Sequence, residues 1–305
     1  MVEHGYFHYH NRTMRILVTA DLHYDIRRSR EPAEALAARA LAMGGDALVL
    51  VGDSAGRDPS PLRECLRLFE GFPGRKLLVA GNHCLWCYPG EESWDRYHTM
   101  LPAVAAEEGF EVLDHEAVQL GNVGLAGSVG WYDYSFRDES LEIPVPFYAA
   151  KVSPGAAARF EEHDDLMATH GHGLSERQMA MGVRWMDGEY VRLGMSDEAF
   201  VVHLVEKLAD QLAALDTSSR QIVTFLHHLP FAQSFPAGRP DRFAFASAYM
   251  GARPFGELLL TCPKVSHVYC GHSHWRDAQR IGHLNVVNVG STYVEQHLEV
   301  LDMPD

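Results

Sequence analysis

Residues 15–23 are Arg-Ile-Leu-Val-Thr-Ala-Asp-Leu-His, a mostly apolar run that ends in polar side chains. A short run of this composition predicts a buried strand. The same form recurs at residues 47–53, Ala-Leu-Val-Leu-Val-Gly-Asp, and at residues 76–83, Lys-Leu-Leu-Val-Ala-Gly-Asn-His. The first half of the chain is therefore predicted to contain three buried strands, each followed at once by side chains that can bind a metal or a proton.

The segments between these strands have the pattern of helices. Residues 31–36 combine a proline with two acids, as a first helical turn often does, and Gly44 is expected to end that helix. Ser60 and Pro61 are expected to begin a second, amphipathic helix. Alternating strands and helices predict a parallel sheet covered by helices, in which sites form at the carboxyl ends of the strands.

The second half of the chain repeats the theme. Strands are predicted at residues 122–128, 221–226 and 265–270, and a last one at residues 284–289. Apolar side chains between Val201 and Leu215 predict a long amphipathic helix before the second of these strands. His227 and His228 follow that strand, and His272 and His274 follow the next one.

The middle of the chain, residues 136–197, lacks such a pattern and is predicted to be an insertion that folds over the site as a cap. A loop longer than roughly 12–15 residues is uncommon in a compact domain unless it is functional or disordered. This one holds aromatic and arginine side chains that can contact a substrate, so we expect it to decide specificity and to be replaceable by a short linker without loss of metal binding. It also contains histidines that either contact the substrate, hold a third metal or are simply solvated: His163, His170 and His172.

The predicted strand ends together present a set of oxygen and nitrogen donors. Seven of them are candidate metal ligands: Asp21, His23, Asp53, Asn82, His227, His272 and His274. Such donors suit Mn, Fe or Zn better than Ca or Cu(I). Seven are too many for one four-coordinate ion but fit two ions that share a carboxylate, and two ions roughly 3.5–4 Å apart are suited to phosphoryl transfer. Each motif alone is common by chance, so the prediction rests on their conjunction.

Taken in order, these motifs resemble those of the calcineurin-like metallophosphoesterases, namely Asp-x-His, Gly-Asp, Gly-Asn-His, His and Gly-His-x-His. The resemblance extends from about Arg15 to Ser291. It implies an α/β fold, a four-layer αββα sandwich of two mixed β-sheets flanked by helices, here with a cap-like insertion. The chain is accordingly predicted to form one domain over residues 14–305, preceded by an extension at residues 1–13.

The resemblance also implies a role for each residue. The first metal would be held by Asp21, His23, Asp53 and His274. The second would be held by Asp53, Asn82, His227 and His272, so that Asp53 bridges. His83 would bind no metal but would lie over the phosphate, steady the transition state and protonate the leaving oxygen. His228 is the alternative to His227 as a ligand.

The chain departs from the family pattern next to His83. The family usually has an acid after Gly-Asn-His, where this chain has Cys84, and Ser54-Ala55-Gly56 follows Asp53 without the usual polar or acidic residue. Cys84 and Cys87 form a Cys-x-x-Cys motif that is either a redox pair or two reduced thiols in a loop.

The function implied is a metal-dependent hydrolase of phosphate esters with two divalent or trivalent transition-metal ions, Mn, Fe or Zn, and a metal-bound hydroxide as nucleophile. A small phosphodiester such as a cyclic nucleotide is the first expectation for the substrate, and a phosphomonoesterase or a nuclease of the same fold is the alternative. A catalytically silent protein-binding scaffold is a further alternative, disfavoured because every ligand and His83 are present.

Composition limits the partners. The chain has 26 basic and 41 acidic residues, a formal net charge of −15, and no basic patch, so its composition argues against nucleic acid as a partner. A small anionic substrate remains compatible with this charge because bound metals reverse the potential locally. No apolar run has the roughly 20 residues that a membrane span needs. Five cysteines and no signal-peptide pattern predict a cytoplasmic protein.

Overall fold

A computed structural model describes residues 13–234 and 240–304 of the chain. Its strands are β1 (Thr13–Thr19), β2 (Ala47–Val51), β3 (Arg75–Val79), β4 (Glu111–Val112), β5 (Val118–Leu120), β6 (Val123–Ser128), β7 (Gln221–Leu226), β8 (Val265–Cys270), β9 (Asp277–Ile281), β10 (Leu284–Asn288) and β11 (Glu299–Pro304). Its α-helices are α1 (Arg27–Met43), α2 (Pro59–Arg67), α3 (Asn82–Leu85), α4 (Ser93–Asp95), α5 (Leu101–Glu107), α6 (Val145–Ala149), α7 (Pro154–Ala157), α8 (Asp164–His170), α9 (Glu176–Ala180), α10 (Asp187–Tyr190), α11 (Asp197–Asp216), α12 (Asp241–Ala246) and α13 (Arg253–Thr261). A π-helical turn at Arg96–Met100 joins α4 to α5, and 3₁₀ turns lie at Glu139–Leu141, Glu161–His163, Ala232–Ser234 and Ser247–Tyr249.

The strands form two mixed sheets. One has the order β11-β1-β2-β3-β4, with β11 antiparallel to β1 and the other neighbours parallel. The other has the order β5-β6-β7-β8-β10-β9, in which antiparallel pairs occur at the two edges and the inner strands are parallel. The predicted α/β fold, with two mixed sheets flanked by helices, is confirmed.

Alternation along the central strands explains the four layers. In β2, Val49 and Val51 belong to the apolar cluster between the two sheets, whereas Leu48 and Leu50 belong to the cluster beneath the helices. All five residues of β2 are buried. A strand covered on both faces needs apolar side chains at every position, which is why the central strands are continuous apolar runs in the sequence.

The first helix begins earlier than predicted. Helix α1 begins at Arg27, so Pro32 lies inside it rather than in its first turn, and its first turn contains no acid. The polar residues 27–30 gave no apolar stripe from which that start could be recognised. The end was predicted correctly, since α1 ends at Met43 and Gly44 follows with φ 63°. Helix α2 likewise begins slightly before the predicted Ser60, at Pro59.

Short or edge strands were missed by the sequence analysis. Strands β4, β5, β9 and β11 were not predicted, and β11 replaces residues 284–289 as the last strand. β11 pairs with β1, placing Leu301 opposite Ile16, and buries only alternate side chains. It therefore lacks the apolar run that marked the inner strands. The predicted extension at residues 1–13 lies outside the described residues except for Thr13, which already pairs with Pro304.

The insertion at residues 136–197 is helical and is integrated into the core. It contains α6 to α10, and its Phe147 and Tyr148 side chains are fully buried in the cluster beneath the helices. Replacing the whole segment with a short linker would therefore remove side chains that fill the core, which disfavours the expectation that such a variant keeps its metals; that expectation stays a prediction. Among the helices of the described residues, none is both long and apolar enough to cross a membrane.

Candidate metal centre

The turns that follow five strands bring the predicted ligands together. Asp21, His23 and His274 form one group, and Asp53, His227 and His272 form another, with potential ligand atoms within 4.8 Å of one another in each group. A third group, His23, Asp53 and His83, connects the first two. Asn82 joins the second group through its Oδ1, which lies 3.2 Å from His227 Nε2. All seven predicted ligands and His83 thus lie at one edge of the sandwich.

The backbone at most of these residues is in an uncommon conformation. Positive φ angles are found at Asp21 (57°), His23 (42°), Asp53 (45°), His272 (67°) and His274 (53°). Residues other than glycine rarely adopt this region, and such strain persists where the surrounding structure enforces it, often at functional sites. Here adjacent turns hold each other, because the His23 amide donates to the Asp53 carbonyl at 2.9 Å and the Asp21 amide to the Gly52 carbonyl at 3.1 Å.

Three of the histidines are oriented by backbone carbonyls. Nδ1 of His227 donates to the Val51 carbonyl at 3.1 Å, Nε2 of His272 to that of Tyr249 at 3.2 Å, and Nδ1 of His274 to that of Ser291 at 2.6 Å. A carbonyl can only accept, so whenever one of these rings is neutral its other nitrogen carries the lone pair that a metal could bind. This arrangement, in which the outer nitrogen is fixed by a carbonyl, is typical of metal-ligating histidine.

His23 provides a test of whether a metal fits. Its side chain is fully buried, and within the described residues neither of its ring nitrogens has a hydrogen-bond partner. Burial lowers the pKa of His23 well below its usual value, so the ring is neutral. A buried imidazole with two unsatisfied nitrogens is costly in free energy, and a metal ion bound to one of them removes part of that cost. The residues present therefore fit a transition-metal ion at this position.

Asp53 lies at the junction of the groups. Its Oδ2 is 3.4 Å from His227 Nε2 and 3.8 Å from Nε2 of both His23 and His83. Burial alone would raise the pKa of Asp53, but the neighbouring histidines outweigh it and hold that pKa well below its usual value. Conversely, burial lowers the pKa of His227, yet Asp53 raises it to about 9. A charged carboxylate is thus held between the two sets of ligands.

His228 lies outside these groups. Its Nδ1 donates to the Val129 carbonyl at 2.9 Å, and its ring centroid is 4.2 Å from that of His272. Burial lowers the pKa of His228 to about 3, so it packs behind His272 as a neutral ring. The geometry favours His227 over His228 as the ligand, and that assignment stays a prediction.

His83 is held next to Asp53 at the edge of the open site. Its amide donates to Asp53 Oδ1 at 3.0 Å, and its ring stacks on Trp86 with centroids 3.8 Å apart. The side chain is 18% exposed, whereas those of His23 and His227 are fully buried. His83 can therefore reach a substrate as well as the ligands.

Two glycines in the motifs are required because neighbouring side chains approach their backbone too closely to leave room for a Cβ atom. A Cβ at Gly81 would lie 2.1 Å from Asp53 Oδ1, and a Cβ at Gly52, whose φ is +81°, would lie 2.1 Å from His227 Nδ1. Real Cβ atoms do not tolerate such contacts. Gly52 before Asp53 and Gly81 before Asn82 are therefore part of the site, since they let neighbouring strand ends approach closely enough for their ligands to meet.

We expect Gly81→Ala to reduce metal content without removing any ligand, because the new methyl group must displace the Asp53 carboxylate. Metal analysis of the folded variant measures this, with loss of at least half the bound metal expected. Gly182→Ala is the matched control, since its Cβ would meet nothing closer than 3.5 Å. Full metal occupancy in Gly81→Ala would contradict the geometry.

A cavity of about 400 Å³ opens over the ligands. It is lined by Asp53, Asn82, His83, Trp86, Arg184, Trp185, Met186, Asp187, Phe243, Ala246, Met250, His272, Ser273, His274 and Tyr293. The insertion supplies four consecutive lining residues, 184–187, so one part of it does cover the site. In the described part of the chain, His163, His170 and His172 do not line this cavity.

Asp187 is a site residue that sequence reasoning did not find. It is buried and accepts a hydrogen bond from Asn82 Nδ2 at 2.9 Å. Its segment has neither periodicity nor a motif, and only the presence of an acid between aromatic residues could have drawn attention to it.

The Cys-x-x-Cys motif does not form a disulfide. Cys84 and Cys87 are both free and buried. Burial raises the pKa of the Cys84 thiol to about 12. Because the thiolate is the reactive form, a thiol with this pKa is a poor redox partner, and the interpretation as two reduced thiols is favoured.

Comparisons with known proteins agree with this fold. The chain superposes on a phosphopantetheinyl hydrolase from Mycobacterium tuberculosis with a TM-score of 0.65 and 18% identity, covering 92% of this chain and 89% of that one. It superposes on TT1561 of Thermus thermophilus (TM-score 0.52, 14% identity, 95% and 99% covered) and on a dimetal phosphatase from Danio rerio (0.52, 13%, 94% and 91%). No curated protein matches the chain significantly.

The sequence itself gives the family. The family model for the calcineurin-like phosphoesterases matches residues 14–276, which is most of the chain and includes every motif that carries a ligand. The chain therefore belongs to the calcineurin-like phosphoesterase family and is a metal-dependent phosphoester hydrolase.

Proposed function

We propose that this protein hydrolyses a small phosphodiester at a dinuclear metal centre. The observation that carries the proposal is the position of the Asp53 carboxylate, whose Oδ2 lies 3.8 Å from His23 Nε2 of one ligand group and 3.4 Å from His227 Nε2 of the other. Asp21, His23 and His274 would complete one metal site, and Asn82, His227 and His272 the other. Two ions held there would supply Lewis acidity toward a phosphate oxygen and would lower the pKa of a bound water.

His83 is the residue of this chain that would act on the substrate directly. It borders the cavity beside Asp53, and its stacking on Trp86 restricts the ring to one orientation. An imidazole so placed can donate a hydrogen bond to a phosphate oxygen or a proton to the leaving oxygen.

The walls of the cavity favour a diester over a monoester. A monoester carries an additional phosphate charge that is usually met by arginine or lysine. Among the described residues, the guanidinium that lines the cavity is that of Arg184, and its Nη2 already lies 3.4 Å from Glu162 and 3.5 Å from Glu189. Much of the remaining wall is apolar or aromatic: Trp86, Trp185, Met186, Phe243 and Met250. Such walls suit the second organic group of a diester, including the planar base of a cyclic nucleotide.

A substrate panel tests the proposal. The purified protein is loaded with Mn, Fe or Zn and offered a bis-aryl phosphate, an aryl monophosphate, cyclic nucleotides and single-stranded DNA. A phosphopantetheinyl ester is included in the panel because the structurally similar protein from Mycobacterium tuberculosis is a phosphopantetheinyl hydrolase. We expect a higher kcat/KM for diesters than for the monoester. Preference for the monoester under every metal would overturn the proposal of a diesterase.

We expect the rim of the insertion to set the preference among larger substrates. Met186 lines the cavity and is 41% exposed. Met186→Ala should leave the turnover of a small bis-aryl phosphate within about twofold but change the ratio of kcat/KM values for two larger diesters by about 3–10-fold, since a partly exposed contact is worth less than the roughly 10–200-fold that a methylene contributes in an enclosed apolar pocket.

Met195→Ala is the control for this measurement. Met195 lies in the same insertion with a similar exposed fraction, 40%, but does not line the cavity. If both methionine variants keep the wild-type preference, specificity must come from elsewhere on the cavity wall.

A further inference from the structure

Asp187, at the start of α10, accepts hydrogen bonds from donors on three separate segments. Its Oδ1 accepts from Asn82 Nδ2 at 2.9 Å and from Trp86 Nε1 at 2.6 Å. Its Oδ2 accepts from Trp185 Nε1 at 2.8 Å and from the Tyr132 hydroxyl at 3.0 Å. The side chain is 1% exposed, so these donors replace the water that the carboxylate has lost.

The bond to Asn82 decides which end of that amide faces the ligands. The oxygen and nitrogen of an asparagine side chain are nearly identical in shape, so packing cannot distinguish them, and hydrogen-bond partners must. A carboxylate on one side accepts only, and therefore fixes the NH₂ group toward itself. Oδ1 is left on the opposite side, 3.2 Å from His227 Nε2, where a metal ligand is required.

The same carboxylate also supports the ring stacked on His83. Trp86 donates its indole N–H to Asp187, and its ring lies 3.8 Å from that of His83. The position directly after His83 is occupied by the buried Cys84, which offers no carboxylate to the site. Asp187 is 105 residues away from Asn82 in sequence. It thus contacts both Asn82, a predicted metal ligand, and Trp86, the residue on which the His83 ring stacks.

We infer that Asp187 is a positioning residue of the metal centre, by which the insertion fixes Asn82 as a ligand of the second metal and fixes Trp86 behind His83. The inference rests on the proposed dinuclear site. It assigns the insertion a part in metal binding as well as in covering the cavity.

A matched control exists within the same insertion. Asp197 is also buried, 6% exposed, and accepts hydrogen bonds from Trp131 Nε1 at 2.7 Å, from the Tyr134 hydroxyl and from Lys151 Nζ at 2.5 Å. It does not line the cavity over the metals. A buried carboxylate with only a structural role is therefore available for comparison.

The experiment is a Mn²⁺ titration of the metal-free protein, followed by calorimetry and metal analysis, for wild type, Asp187→Asn and Asp197→Asn. Circular dichroism establishes that each variant is folded. We expect Asp187→Asn to weaken one of two Mn²⁺ sites by about 10–100-fold, the usual cost of losing the partner of a ligand, and Asp197→Asn to change neither by more than about threefold. If Asp187→Asn does not fold, Asp187→Ser carries the same expectation, because it leaves room for a water molecule among the donors.

A double-mutant cycle separates positioning from general stability. In an Asn82→Ala background, Asp187→Asn should have almost no further effect on Mn²⁺ affinity, because the side chain on which it acts is absent. Equal weakening in both backgrounds, or unchanged Mn²⁺ binding in Asp187→Asn, would overturn the inference. Uptake of fewer than two Mn²⁺ by the wild type would instead overturn the proposed dinuclear function, so the two failures are distinguishable.

Discussion

Asp53→Ala is expected to lose both metals and nearly all hydrolysis. Asp53 belongs to the group with His227 and His272 and lies 3.8 Å from His23 of the other group. Because Asp53 is the proposed bridging ligand, its removal would take one ligand from each site and one of the negative charges that offset the ions. Loss of a residue that merely supports a ligand costs about 10–100-fold in metal affinity, so loss of a shared ligand is expected to cost more than about 10³-fold in kcat/KM at limiting metal. Metal analysis after gel filtration and the rate on a bis-aryl phosphate measure the two effects together.

Two further variants make this result interpretable. Asp197→Asn changes a buried carboxylate outside the ligand groups and should keep both metals. Asp53→Asn keeps the shape of the side chain without its charge and should fall between wild type and Asp53→Ala. The bridging assignment is wrong if Asp53→Ala retains two tightly bound ions, and retention of one ion would make Asp53 a ligand of a single site.

His83→Ala is expected to keep both metals and to lower kcat by roughly 10²–10⁴-fold, the usual contribution of a positioned acid or base. The structure makes this a demanding test, because His83 also lies in a group with His23 and Asp53 and could reach a metal. The paired measurement of metal content and kcat separates the two roles. Loss of metal would make His83 a ligand, and an unchanged rate would leave it without a role in catalysis.

His163→Ala is the control for His83→Ala. Both histidine side chains are 18% exposed, but His163 lies beside Glu162 and does not line the cavity over the metals. Its replacement should leave both metal content and kcat within about twofold of wild type, as is usual for surface substitutions away from a site.

The apolar runs of β1, β2, β3, β7 and β8 identified the inner strands because those strands are covered on both faces. A strand that is buried on both faces is apolar at nearly every position, so it can be recognised from its own residues alone. The edge strands were missed for the opposite reason, since β9 and β11 expose alternate side chains and give no continuous run. The start of α1 was misplaced because its first turn is polar and the proline that suggested a start lies inside it.

The sequence by itself determined the family, the order of the motifs and the eight residues that the structure gathers at one edge of the sandwich. It could do so because each motif follows a buried strand, and the ends of parallel strands in one sheet lie together. The packing that brings the ends of β7 and β8 against those of β1, β2 and β3 in the other sheet was decided by the tertiary structure. The sequence favoured His227 over His228 as the ligand, and the tertiary structure supports that choice by placing His227 with Asp53 and His272, since successive residues of an extended chain point to opposite sides. Only the tertiary structure shows that Asp187 belongs to the site. Its hydrogen bond to Asn82 joins residues 105 positions apart, and such a contact leaves no local pattern in the sequence.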